Sequence, residues 1–187
     1  MLEEIRNALK VLNQGGTILY PTDTIWGLGC DATREESVAR LYDLKQRKDN
    51  KSMLILLDST DKLEEYITDV PEIALNILEI ADKPLTIIFP GARNLAANLL
   101  AEDGSIGIRI IRDDFCGKLI HDFGKPLVST SANISGMPWP ASFKYIDKSL
   151  LKKVDYVVKW RQQEERRGKP SGIIKVGLHG EVQVIRE

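Results

Sequence analysis

Twice in this chain an apolar run gives way, within a residue or two, to small hydroxyl-bearing side chains and glycines. The first is Thr17–Tyr20, followed by Pro21-Thr22-Asp23-Thr24 and then Trp26-Gly27-Leu28-Gly29-Cys30-Asp31. The second is Pro126–Val128, followed by Ser129-Thr130-Ser131-Ala132-Asn133-Ile134-Ser135-Gly136. A strand that ends this way leaves backbone N–H groups accessible and presents many short donors, which suits an anionic, polyhydroxylated ligand such as a nucleotide. Open α/β sheets bind ligands outside the carboxyl ends of their strands. The two stretches therefore constrain the fold and the site together.

The rest of the pattern agrees with α/β. Apolar residues at Leu2, Ile5, Ala8, Leu9 and Leu12 have helical spacing and stop at Gly15-Gly16. Thr33 with Glu36 reads as a capping box for a helix from Arg34 to Arg47 that buries Val38, Leu41, Tyr42 and Leu44. Further helices are expected over Asp61–Tyr66, Pro71–Ile80 and from Asp113 or Asp114 to Gly124. Strands are expected at Met53–Leu57, Leu85–Phe89, Ser105–Ile110, Pro126–Ser129, Val154–Trp160, Gly172–Val176 and Val182–Ile185. Helices alternating with strands predict a sheet flanked by helices, and the closely spaced late strands make it mixed. No domain boundary is visible, so residues 1–187 read as one domain.

Composition removes several classes of function. A net charge of −1 writes no general nucleic-acid footprint, so any basic surface is local. Two cysteines without metal-type spacing suggest a reducing compartment. No basic-then-apolar leader opens the chain and no run approaches the ~20 apolar residues of a membrane span, so a cytoplasmic protein is expected. With two histidines and two cysteines, no zinc site and no Ser-His-Asp arrangement can be assembled convincingly, and no metal ligands are expected. There is no Walker A sequence and no G-x-G-x-x-G. Ser149-Leu150-Leu151-Lys152 matches Ser-x-x-Lys by chance, and the Trp and Met residues read as packing groups.

Charge supplies the remaining candidates. Lys45-Gln46-Arg47-Lys48, continuing to Lys51, fits either a helix C-terminus or a phosphate site, where lysine acts as a point charge and arginine as a planar fork. Thr22 and Thr24 flank Asp23, and extended backbone would turn both threonines the same way. Arg109 stands at a strand end. Lys159–Lys169 holds five basic and two acidic residues and reads as a mobile flap over a cleft.

These motifs, in this order and spacing, closely resemble the YrdC/TsaC family of threonylcarbamoyl-AMP synthases in its single-domain form. The carrying stretches are Tyr20–Thr24 with Trp26–Gly29, Lys45-x-Arg47, Ser105–Arg109 and Ser129–Gly136. The resemblance implies a twisted mixed sheet with an open basic cleft. It implies that L-threonine, bicarbonate or CO2 and ATP give threonylcarbamoyl-AMP and pyrophosphate. The adenylate would pass to a transferase that modifies tRNA next to the anticodon. By the same resemblance Lys45, Arg47, Ser131 and Asn133 are catalytic. Arg47, Lys51, Ser105, Ser131, Asn133 and Arg186 would hold ATP. Thr22, Thr24, Arg109, Ser129 and Ser171 would hold threonine, and Mg2+ would come with the triphosphate. The chain departs from the family pattern where Lys48 stands for a proline and Leu56 for a histidine of longer members. The alternative is a non-catalytic module of the same fold that binds tRNA or double-stranded RNA.

Overall fold

Alternation along the strands decides how this molecule is layered. The computed structural model describes residues 1–46, 53–165 and 168–187. Its strands are β1 (Ile18–Tyr20), β2 (Gly27–Gly29), β3 (Leu54–Leu57), β4 (Leu85–Phe89), β5 (Ile106–Ile110), β6 (Leu127–Ser131), β7 (Tyr156–Val157), β8 (Gly172–Val176) and β9 (Val182–Arg186). They form one twisted sheet in the order β7-β1-β2-β6-β3-β5-β4-β8-β9. The pairs β1–β7, β3–β5 and β4–β8 are parallel and the others antiparallel, so the sheet is mixed. The helices among the described residues are α1 (Leu2–Asn13), α2 (Glu35–Leu44), α3 (Leu63–Tyr66), α4 (Glu72–Ile80), α5 (Asp114–Phe123) and α6 (Lys148–Lys153).

Successive strand residues point to opposite faces. Leu19, Leu28, Ile55, Leu57, Ile87, Ile108 and Val128 pack on one face with Val38 and Leu41 of α2, Leu63 of α3, Leu78 of α4 and Leu150 of α6. Ile18, Tyr20, Leu56 and Leu127 pack on the other with Ile5 and Leu12 of α1 and Phe115, Leu119 and Phe123 of α5. Helices α1 and α5 leave part of this second face open. Register carries that face across the sheet, from Leu54 to Gly107 and Ser129, from Leu56 to Arg109, and from Thr86 through Ile173 to Arg186. Where the two helices stop, the apolar row gives way to polar residues and glycine, and the cleft opens there.

The chain differs locally from its sequence reading. Thr33 caps nothing. Its hydroxyl and its N–H both donate to Asp31 Oδ1, at 2.6 and 2.8 Å, so α2 starts after an Arg34 cap that makes no side-chain bond. Helix α2 also ends at Leu44, short of Arg47. Thr130 and Ser131, read as loop beyond a strand ending at Ser129, continue β6 because β2 pairs Leu28 with Thr130 and Gly27 with Ser131. Strand β2 itself was not among the expected strands. Its glycines have a packing reason, since a Cβ on Gly29 would lie 2.5 Å from the Val128 carbonyl and 2.8 Å from the Tyr20 ring. Of the strand expected over Val154–Trp160 only Tyr156–Val157 forms, beside the three-residue β1. Gly124 ends α5 with φ 69, as expected of a left-handed cap, and the Asp113 side chain starts it by accepting from Cys116 N.

Candidate active site

A cavity of about 260 Å3 opens on the uncovered face. Its floor comes from Leu54, Arg109, Ser129, Ser131 and Ile173, and its walls from Thr22–Ile25 on one side and Pro170, Ser171 and Arg186 on the other. Trp139 stands at its edge, 51% exposed.

Arg109 dominates the floor. The residue is 3% exposed. One terminal nitrogen donates to Thr24 Oγ1 at 2.9 Å, and the other lies 3.2 Å from Asp23 Oδ1. Its Nε has no hydrogen-bond partner among the described residues. The bend after Tyr20 makes this possible. Thr22 Oγ1 donates to the Ile25 carbonyl at 2.6 Å and stands 2.9 Å from Thr24 Oγ1, so both hydroxyls share one side while Asp23 reaches the guanidinium. Asp23 was missed in the sequence reading. Its position between the two threonines was the available signal.

Arg186 reaches the same cavity from β9. Its Nε and a terminal nitrogen donate to the Ser171 carbonyl at 3.0 and 2.7 Å. Burial lowers its pKa, and the nearby Arg109 charge lowers it further. Both causes disfavour a second cation here, and both are relieved when an anion enters. Ser171 Oγ meets Thr86 Oγ1 at 2.8 Å, and buried Thr86 is another group the sequence reading did not place here. Tyr20 lies under the two glycines of β2, with its hydroxyl beside Ser129. Burial pushes its pKa up, so it stays protonated.

Lys45 caps the end of α2 and turns inward, 3% exposed. Its Nζ donates to the Ser131 carbonyl at 2.6 Å and to Asn133 Oδ1 at 3.3 Å. Ser135 N bonds the Lys45 carbonyl and Ala132 N the Trp26 carbonyl, which ties the loop after β6 to α2 and to the start of β2. Helix end, serine loop and glycine strand thus converge on one cation.

Thr22, Thr24, Arg109, Ser129, Ser131, Ser171 and Arg186 all line the cavity, and Lys45 and Asn133 join it at Ser131. Ser105 is elsewhere. It lies just before β5, buried, with its hydroxyl donating to Asp103 at 2.5 Å. Arg47 and Lys51 lie outside the described residues. The reading of tryptophans as packing groups holds for Trp26, buried against Phe143 with ring centroids 4.9 Å apart, and fails for Trp139. In the 159–169 segment, Arg161 pairs with Asp113 at 2.7 Å and Glu165 with Lys144 at 2.6 Å. Gly168 lies so close to the Thr24 carbonyl that a Cβ would fall 1.5 Å from its oxygen. Among the described residues no group of three or more His, Cys, Asp or Glu could hold a metal ion, and no helix is long and apolar enough to cross a membrane.

Residues 10–187 match the family model Sua5_yciO_yrdC, described as telomere recombination. The chain belongs to the Sua5/YciO/YrdC family. This YrdC-type chain is 33% identical over 157 residues to the threonylcarbamoyl-AMP synthase of Pseudoalteromonas translucida, covering 82% of itself and 84% of that protein. It superposes on P. abyssi Sua5 complexed with L-threonine with a TM-score of 0.84 and 27% identity, over 92% of this chain and 50% of that one. It thus spans about half the length of that relative. E. coli YciO shares the fold, with a TM-score of 0.85 and 23% identity over all of this chain and 90% of YciO.

Proposed function

We propose that this chain makes threonylcarbamoyl-AMP from L-threonine, CO2 or bicarbonate, and ATP, releasing pyrophosphate. The observation that carries the reading is the buried guanidinium of Arg109 and the exposed Arg186 facing one hydroxyl-lined cavity beside the inward-turned Lys45. Such a site neutralises anions and offers no activated nucleophile.

The chemistry needs nothing more elaborate. The threonine amine attacks CO2 and loses a proton, giving a carbamate. A carbamate oxygen then attacks the α-phosphorus, and the bond to pyrophosphate breaks. Two anions must meet, so fixed cations and alignment provide the acceleration. Arg109 pairs with the threonine carboxylate, while Thr24 and Asp23 hold its guanidinium in place. Thr22, Ser129 and Ser171 complete the amino-acid side. Lys45 neutralises charge between carbamate and phosphate, with Ser131 and Asn133 on the nucleotide and Arg186 beside it. Mg2+ would come with the triphosphate, whose oxygens and water would supply most of its ligands and whose charge it would help neutralise. Arg47 and Lys51 keep their proposed ATP roles from the resemblance, whereas Ser105, outside the cavity with its hydroxyl on Asp103, would reach ATP only where the nucleotide extends beyond the cavity. The adenylate passes to a tRNA-modifying transferase in the cytoplasm.

The test is pyrophosphate release from ATP with bicarbonate, with and without L-threonine, in wild type and Lys45→Ala. Release that needs both threonine and bicarbonate, and is lost in the variant, is expected. No release from folded protein would refute the reading. The non-catalytic RNA module draws on a different observation, the exposed Lys148, Lys152 and Lys153 of α6. It requires RNA binding that weakens steeply with salt, without ATP turnover.

A further inference from the structure

The largest cavity among those described is not the candidate active site. A half-open groove of about 850 Å3 lies on the opposite side of the sheet, beyond the carboxyl ends of the parallel pair β3 and β5. Leu63, Val70, Leu75, Leu78 and Ile110 give it an apolar floor, and Asp61, Glu64 and Glu79 line its rim.

Two features mark this groove as unfinished surface. Helix α4 is apolar at six of its nine positions, Ile73, Ala74, Leu75, Ile77, Leu78 and Ile80, which is more than one face can bury. The core takes Ala74 and Leu78, while Leu75 is 42% and Ile80 81% exposed. The rim charge is equally one-sided. Asp61, Glu64 and Glu79 are exposed and form no ion pair among the described residues. The cations nearby are already committed. Arg112 donates to the Ala81 and Leu78 carbonyls at 2.6 and 2.9 Å, and Lys62 lies 2.8 Å from Asp58.

We propose that this groove docks a basic amphipathic helix from a partner protein. An apolar floor receives the helix's apolar stripe, and rim carboxylates meet lysines or arginines beside that stripe. The same charge repels nucleic acid and an anionic membrane surface. Docking also leaves the cleft free. On β5, Arg109 faces the cavity of the candidate active site and its neighbour Ile110 lines the groove. The partner is held on the reverse side of the strand that carries the main guanidinium, whatever reaction the cleft performs.

The probe is a labelled 14-residue helical peptide with leucine at i, i+3, i+4 and i+7 spacing and lysine elsewhere, read by fluorescence anisotropy against the intact chain. The expected result is saturable binding that weakens at least tenfold in the triple variant Asp61→Lys, Glu64→Lys, Glu79→Lys. Leu75→Asp should weaken it separately. Hydrogen-exchange protection should appear over residues 58–80. All four positions are exposed, and thermal melts verify that the variants are folded. Equal affinity for wild type and triple variant would overturn the proposal. So would equal binding of a scrambled peptide without the leucine stripe, or complete displacement by spermine, which would make the groove a small-cation site. Concentration-dependent self-association that the triple variant abolishes would assign the groove to a second copy and overturn it as well.

Discussion

Replacing Arg109 with glutamine separates the substrate role of this residue from its structural one. The side chain is 4% exposed and paired with Asp23, which is 17% exposed. Removing one partner of a fully buried pair costs about 3–5 kcal/mol. Water reaches Asp23, so the loss here should be about 2–3 kcal/mol, against a total stability of roughly 5–15 kcal/mol for a domain. The variant is therefore expected to fold at 25 °C with a lowered urea midpoint. If Arg109 pairs with the threonine carboxylate as proposed, the variant loses a charge-assisted hydrogen bond worth about 1.5–3 kcal/mol. That corresponds to a roughly 10- to 150-fold rise in the KM for threonine, with the KM for ATP much less affected. Arg109→Lys keeps the charge beside Asp23 but lacks the planar fork. It should recover most of the stability and only part of the threonine affinity. The assays are urea melts and threonine-dependent pyrophosphate release. A folded Arg109→Gln protein whose KM for threonine stays within about twofold of wild type would refute the assignment of Arg109 to the carboxylate.

Gly168→Ala places a methyl group 1.5 Å from the Thr24 oxygen, which must push residues 22–25 out of line. Overpacking of this kind costs about 1–3 kcal/mol, so a lower urea midpoint and a higher KM for threonine are expected together. Asp103 accepts from Lys175 and then from Ser105, and these bonds lower its pKa to about 2. A carboxyl with a depressed folded pKa stabilises above its ordinary value, and that stabilisation is lost as pH falls from about 4 towards 2. Its side chain is 53% exposed, so the effect is modest, and Asp103→Asn should flatten that part of the acid denaturation profile. On the proposed reaction serine should be turned over slowly in place of threonine, because burying one methyl discriminates by only about 1–3 kcal/mol. Complete rejection of serine in the pyrophosphate assay would contradict a purely apolar side-chain pocket.

Periodic signals carried the fold a long way. Helix α1, helix α5 with its Gly124 stop, and β4 lie close to where apolar spacing put them, because the two helices each bury a full stripe and β4 is a compact apolar run. Signals shorter than one period did not. Strand β2 has three residues, two of them glycine, and it pairs on one side with β6, about a hundred residues away in sequence. The Thr33 cap failed because Thr33 is held in a turn onto Asp31, donating its hydroxyl and N–H to Oδ1, and the helix starts only after Arg34. In the site, hydroxyl-rich stretches identified Thr22, Thr24, Ser129 and Ser131, whose chemistry is visible locally. Asp23 had a local signal in the threonines on either side of it, whereas Thr86 and Trp139 gain their places only through a contact across the sheet or by standing at a cavity mouth, and no local pattern announces them.

Thr22 and Arg186 stand almost the full described chain apart and line the same cavity. A protein made from its N-terminus forward presents the first of these long before the second. The nascent chain can lay down β1 through β6 and still lack the wall that Ser171 and Arg186 supply. Ligand competence then waits for β9, and a ligand bound in the cleft fastens an early-made segment to one made much later.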